Sequence, residues 1–273
     1  MMAARKQLPQ HPTARKLLPA KVGSVVQTSE SRFRRHVLYD NGILRSTVKD
    51  DKGKSWKGYT DNSHMHTDAE ITGKIVQRAL GHVRRGNIRL MPVSFQHNLD
   101  AEGKVTDVER FMPGNMQATR FDQVMKNATL AQKRACYMDL MKQLGYMHAY
   151  ANVSHRDLSR DHGSNLFLLD GKHPHLLDFG IGKDLRGPDG ELLASAIHSM
   201  VIDLDSAISL FYEPQSPNLK LEHRSALDRR DFEKGINRYL GIMRKSPLGR
   251  RLASSYLFGE LEAKNAEIRM EIR

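Results

Sequence analysis

The sequence predicts an α+β fold with most of its strands and one helix in the first 110 residues and mainly helices in the remainder. Three observations lead there. Residues 21 to 49 hold three short β-prone runs, the last two separated by Asn41-Gly42, a dipeptide suited to a tight hairpin. Ile88 to Phe95 and Val105 to Glu109 are two further β-prone runs around an Ala-Glu-Gly turn. From residue 118 onward apolar residues recur at helical spacing, interrupted by one short hairpin pattern. At 273 residues, with 39% apolar and 27% charged side chains, the chain is long enough to bury a proper core.

The elements follow in order. Residues 1 to 20 mix basic and polar groups with three prolines and read as a flexible basic arm, a targeting or docking segment. They lack the continuous apolar stretch of a secretion signal. After the three strands comes a polar loop over 50 to 66. Thr67 then reads as the N-cap of a helix running to about Leu80, with Glu70 at the capping-box position. Met138 to His148 has apolar residues at helical spacing, Leu166-Phe167-Leu168-Leu169 suits a hairpin strand, and Asp203 to Glu213 reads as a further helix. Cys136 is the sole cysteine, so no disulfide framework forms; its helical setting marks a small core residue and a reducing compartment.

Charge bounds the partners. The chain carries 43 Lys and Arg against 31 Asp and Glu, a net charge of +12, and repeats pairs such as Arg229-Arg230, Arg244-Lys245 and Arg250-Arg251. Such a field attracts anionic partners. Aromatics are only 7%, too few for a base-stacking platform, so no specific nucleic acid is expected and a docking surface for an acidic protein is the better reading. No run of 18 apolar residues occurs, which argues against a membrane span. His155, His162 and His173-Pro174-His175 lack a Cys or carboxylate set at ligand spacing, which argues against structural zinc.

The residues that carry chemistry lie between Met147 and Gly180. His155-Arg156-Asp157 is followed by Asn165 and then by Asp178-Phe179-Gly180. Phosphoryl transfer needs a carboxylate beside the acceptor hydroxyl, and an Asn with a second carboxylate to hold magnesium on the nucleotide phosphates. In this order the set resembles the catalytic core of the protein-kinase superfamily. The flanks extend the resemblance: Met147-His148 ends a helix where the family commonly has Leu-His, and Asp203-Leu204-Asp205-Ser206 is similar to the start of the family's central DxWSxGxxLxE helix.

The resemblance implies a bilobal protein-kinase-like fold: the arm over 1–20, a small antiparallel-sheet N-lobe with one helix over 21–110, and a mainly helical C-lobe over 111–273. It implies ATP- and Mg2+-dependent transfer of the γ-phosphate to a protein hydroxyl, on Ser or Thr. Asp157 would orient the acceptor hydroxyl, Asn165 and Asp178 would hold Mg2+, and Asp203 would brace the catalytic turn by accepting its backbone N–H groups. Phe111-Met112-Pro113-Gly114 resembles the hinge that hydrogen-bonds adenine.

In the N-terminal half the resemblance is carried by spacing. Arg45 to Lys49 resembles the family's third strand, so Lys49 would hold the α/β-phosphates and Glu70, 21 residues on, would be its ion-pair partner. Lys57 is the competing lysine, and Glu70 has the competing role of completing a capping box. Thr28 to Val37 stands where the family has a glycine-rich phosphate loop, yet contains no Gly. There Phe33 would be the loop-tip aromatic and Val37 the roof over adenine, with Arg32, Arg34 and Arg35 reaching phosphate through side chains. Asn165 lies eight residues after Asp157, where the family has five. Either the loop carries an insertion, or Asp161 takes the catalytic role; the tripeptide favours Asp157. Arg160 would replace the family's lysine as the cation near the transferred phosphoryl group.

Only 25 residues separate Asp178 from Asp203, with no Ala-Pro-Glu between them and only Ser195 and Ser199 as hydroxyls. That predicts a kinase needing no loop phosphorylation, or one switched on by an acidic partner. Reduced kinases of this kind resemble the minimal kinases that pathogenic bacteria deliver into host cells, which implies cytoplasmic action, as an effector. Two rival readings stay open. One is a pseudokinase-type binding scaffold, in keeping with the Gly-free loop and the shifted Asn. The other is a small-molecule phosphotransferase of the same fold, in keeping with the reduced peptide platform.

Overall fold

The computed structural model describes residues 5–7, 23–30, 34–48, 61–99, 101–102, 105–114, 119–159, 163–211, 227–253 and 263. Its strand-forming segments build one antiparallel sheet from β1 (Arg5–Gln7), β2 (Val25–Glu30), β3 (Arg34–Tyr39), β4 (Ile43–Val48), β5 (Ser94–Leu99) and β6 (Val105–Pro113), in the spatial order β1-β5-β6-β4-β3-β2. The β3–β4 turn is the one the sequence marks. Gly42 takes φ +74°, open to glycine at little strain, and the Ile43 N–H donates to the Asn41 side chain at 3.2 Å.

Helix α1 (Asp61–Arg84) crosses one face of this sheet. Met65 and Ala69 of the helix pack with Leu44, Phe95, Val108 and Met112 of the strands, so the even-numbered residues of β4 and β6 look toward α1. The second, larger core lies between Ile71, Ile75, Val76, Ala79 and Val83 of α1 and the helices α2 (Phe121–Lys126), α3 (Leu130–Tyr146), α4 (Ala196–Ser209), α5 (Arg229–Lys245) and α6 (Pro247–Ala253). There Tyr137 of α3 meets Phe211 and Phe232 edge-on at 5.4 and 5.2 Å. Between α3 and α4 the chain makes four two-residue strands: β7 (Val153–Ser154) pairs with β10 (Lys183–Asp184), and β8 (Leu166–Phe167) with β9 (His175–Leu176). The architecture is therefore mixed α+β, an antiparallel sheet followed by helices. No helix among the described residues is long and apolar enough to cross a membrane.

Three boundaries differ from the sequence reading. Helix α1 begins at Asp61, so Thr67 is an interior residue whose Oγ1 donates to the Ser63 carbonyl at 2.9 Å and caps nothing. Packing of His64 and Met65 against the core extends the helix through a stretch whose polarity reads as loop. Ile88 to Val93 are largely buried without being a strand, apart from a bridge from Leu90 to Leu176. Within the arm expected to be flexible, Arg5–Gln7 adds an edge strand to β5.

Candidate active site

The turn at His155 is built from behind. Helix α3 starts with a reciprocal capping box between Thr129 and Gln132 and ends in one π-helical turn, Met147–Ala151, closed by Asn152 at φ +56°. That turn aims His148 into the core, where Nε2 lies 2.9 Å from Asp203 and Nδ1 lies 2.9 Å from the Tyr239 hydroxyl. A carboxylate only accepts, so Nε2–H donates to Asp203 and, in the neutral ring, Nδ1 accepts from Tyr239. The same fully buried Asp203 carboxylate accepts the backbone N–H of His155 at 2.7 Å and of Arg156 at 2.5 Å. Arg156 sits at φ +67°, a region strained for a side chain of its kind, and these bonds hold it there.

From that braced turn the chemistry-bearing groups radiate. The His155 ring packs 4.4 Å from the Phe179 ring and donates from Nε2 to the Leu177 carbonyl at 2.9 Å. The Asn165 amide donates to the Asp157 carbonyl at 2.8 Å and to its carboxylate at 3.2 Å. The Asn165 backbone carbonyl in turn accepts the Leu177 N–H at 3.0 Å, which seats Asp178 one residue away. Asp157, Asn165 and Asp178 are thus brought onto adjacent backbone despite the longer spacing. Gly163, at φ +85° and hemmed in by Phe121 and Leu210, turns the chain back toward Asn165. Arg160 and the rival Asp161 lie outside the described residues, as do Lys49, Lys57 and Phe33.

Asp178 is also left-handed, at φ +64°. Its Oδ2 lies 3.2 Å from Arg34 and 3.7 Å from Arg110, while Oδ1 faces His64 Nδ1 at 3.7 Å. Burial opposes ionisation of Asp178, but the two guanidinium groups outweigh it and hold the carboxyl well below the usual range. Asp68 of α1 completes the cluster: Oδ2 accepts from Arg110 at 3.0 Å and Oδ1 accepts the Phe179 N–H at 2.8 Å. Burial, together with the charge of Asp178, pushes the Asp68 carboxyl up.

Two expected site residues are placed elsewhere. Glu70 is exposed and pairs with Lys74 one turn on; Asp68 takes the inward position because two residues along a helix point about 200° apart. Val37 pairs across the sheet with Arg45, on the face away from α1, and His36 looks inward instead, bonded to Ser46 at 2.9 Å. A register offset of one residue exchanges the faces. The sequence reading missed Asp68, Arg110 and His64. Their signal was present: Asp68 interrupts the apolar stripe of Met65, Ala69, Thr72 and Ile75, and Arg110 stands between Val108 and Met112 on the apolar face of β6.

Whether a divalent ion fits can be judged from unpartnered atoms. Asp178 Oδ1, Arg110 Nε and His64 Nε2 are all buried without a hydrogen-bond partner. An orphaned carboxylate oxygen fits a cation; orphaned nitrogens of the same cluster fit an anion accompanying that cation. Among the described residues no three His, Cys, Asp or Glu side chains converge to hold a metal unaided.

Beyond the site, Lys183 donates to the Ser195 hydroxyl at 2.6 Å and Ser199 is buried in α4, so both hydroxyls of the segment are engaged or enclosed. Arg78 of α1 clasps Asp184 of β10 through two bonds of 2.8 Å. No family model matches the chain, and no curated protein matches it in sequence.

Proposed function

We propose that the chain is an ATP- and Mg2+-dependent protein kinase of the bilobal kinase-like fold, transferring the γ-phosphoryl group to a protein hydroxyl. The observation that carries this reading is the bonding of Asn165 to Asp157 on the braced turn, with Asp178 following the Leu177 N–H that the Asn165 carbonyl accepts. Asp157 accepts the proton of the acceptor hydroxyl as the new O–P bond forms and the bond to the β-phosphate oxygen breaks, releasing ADP. Asn165 fixes the Asp157 carboxylate through its amide. Asp178 Oδ1 and the Asn165 side chain are the groups suited to Mg2+, which would neutralise charge on the phosphates and take most of its ligands from them and from water. The segment after Gly180 supports a kinase that runs without loop phosphorylation, because its two serines are already engaged or buried.

The test is transfer of labelled γ-phosphate from ATP to the protein itself and to generic acceptor proteins, with Asp178→Ala as control. Incorporation by the wild type alone is expected. A second reading has an observation of its own: Arg34 and Arg110 already neutralise Asp178, as in a binding scaffold with no catalysis. Nucleotide binding without any transfer, even with a eukaryotic lysate supplying activator and substrate, would select it.

A further inference from the structure

We infer that the nucleotide phosphates are held from β6, by Arg110 paired with Asp68 of α1. The inference rests on the kinase reading and names the cation of its phosphate site. A phosphate-holding cation must be fixed by a carboxylate and keep a donor unspent for the phosphates. Arg110 meets both conditions: its guanidinium bonds Asp68 at 3.0 Å and lies 3.7 Å from Asp178, while its Nε–H is buried with no partner.

The rest of the cluster agrees. Arg34 can only donate, so the 3.3 Å contact of its Nη2 with His64 Nδ1 makes that nitrogen the acceptor and leaves Nε2–H as donor. Two buried donors without partners, Arg110 Nε and His64 Nε2, therefore accompany an Asp178 oxygen that also lacks one. An anionic phosphate with its divalent ion satisfies all three. A guanidinium suits this task because its planar fork serves a carboxylate and a phosphate at once.

Strand β4 offers no substitute over Ile43 to Thr47. Leu44 and Ser46 face α1, whereas Arg45 turns to the other side and pairs with Glu109. Ser46 stands directly across from Arg110 and is fully buried, small enough to leave the guanidinium its place. Neighbouring strands are about 4.8 Å apart, a distance the Arg side chain spans. The cation has moved one strand over, and the carboxylate two residues back along the helix.

Calorimetric binding of ATP with Mg2+, and of adenosine, to the full chain tests this. The double variant Arg110→Met/Asp68→Asn leaves no unpaired buried charge and keeps an acceptor for the Phe179 N–H. It should weaken ATP at least tenfold and shift adenosine less than twofold. Arg110→Ser/Ser46→Lys, which returns a cation to the cleft from β4, should recover most of the ATP affinity. ATP affinity within threefold of wild type in the double variant overturns the inference. So does a loss on Lys49→Met that exceeds the loss on Arg110→Met/Asp68→Asn, which leaves the kinase reading standing. A wild type that binds neither ligand overturns both. If the double variant loses adenosine as well, the relocated lysine decides: adenosine restored without ATP sinks the assignment.

Discussion

Asp203→Asn perturbs the best-defined interaction of the site. The wild-type carboxylate is fully buried and accepts from three donors: the N–H groups of His155 and Arg156 and the His148 ring. The amide keeps one oxygen and presents an NH2 group where an acceptor stood, so at least one buried donor loses its partner. Each such loss costs about 1–3 kcal/mol, and the bonds replaced were charge-assisted, at the upper end of that range. The strain of Arg156 at φ +67°, about 1–3 kcal/mol, then has less to oppose it and keeps the cost at that end. The net expectation is destabilisation by about 2–3 kcal/mol for Asn and about 3–5 kcal/mol for Ala, a large part of the roughly 5–15 kcal/mol that holds a domain.

Urea denaturation followed by circular dichroism reads this as a lower midpoint at unchanged slope. The contributions of lost bonds and of strain are separable. Arg156→Gly in the Asp203→Asn background should recover about 1 kcal/mol, since Gly adopts positive φ without help. A loss below about 1 kcal/mol for Asp203→Asn, or no recovery on adding Arg156→Gly, would refute the account of a strained turn held by one carboxylate.

Other expectations follow from single contacts. Gly241→Ala in α5 meets nothing within 4 Å and should stabilise by about 0.5–1 kcal/mol, raising the melting temperature by a few degrees. Gly180→Ala places a Cβ 2.0 Å from the His64 ring; it should cost about 1–3 kcal/mol in denaturation and lower phosphoryl transfer by displacing His64 from Asp178. Ser195→Ala/Ser199→Ala should leave transfer intact, and a large loss would mean that the segment is switched by phosphorylation after all. Asp184 is partly buried, which resists ionisation, but Arg78 and Lys74 outweigh that and hold its carboxyl down to about 2. Because the folded value is depressed, the contribution is full above the ordinary value of 3.8 and is lost as the pH falls from there toward about 2. Asp184→Asn should flatten that part of the stability profile.

The order of elements was legible because it rests on local periodicity. Three strands with Asn41-Gly42 between the last two, a helix after them, the strand at Val105 and the hairpin at Leu166 all follow from patterns within about ten residues, whereas the run expected over Ile88 to Phe95 joins the sheet only from Ser94. The contact of Asp203 with the turn before it was expected only from the family resemblance, and that of Asn165 with Asp157 was not anticipated. What stayed hidden depends on rotation and register. Glu70 and Asp68 are equally plausible by distance along the chain, and only the apolar stripe around Asp68 shows which faces inward. Val37 and His36 differ by one position in a strand, and the pairing with β4 decides between them. A helix that extends over polar residues, as α1 does from Asp61, is a tertiary effect with no local signature.

The two strained residues of the site share one design. Arg156 precedes Asp157, and its own N–H is held by buried Asp203 from α4; Asp178 precedes Phe179, whose N–H is held by buried Asp68 from α1. In each case a left-handed residue, at or beside a chemistry-bearing carboxylate, is fixed by a second carboxylate from a distant helix. Neither turn keeps its shape on local preference alone, since positive φ is disfavoured for Arg and for Asp is tolerated without being imposed. Their geometry is therefore a property of how α1 and α4 pack. Any displacement of α1 against the sheet moves Asp68, and with it both the Phe179 N–H and Arg110, so Asp178 loses its backbone setting and one of its cations together. The site should fail as a unit when that packing loosens, before the helices themselves melt.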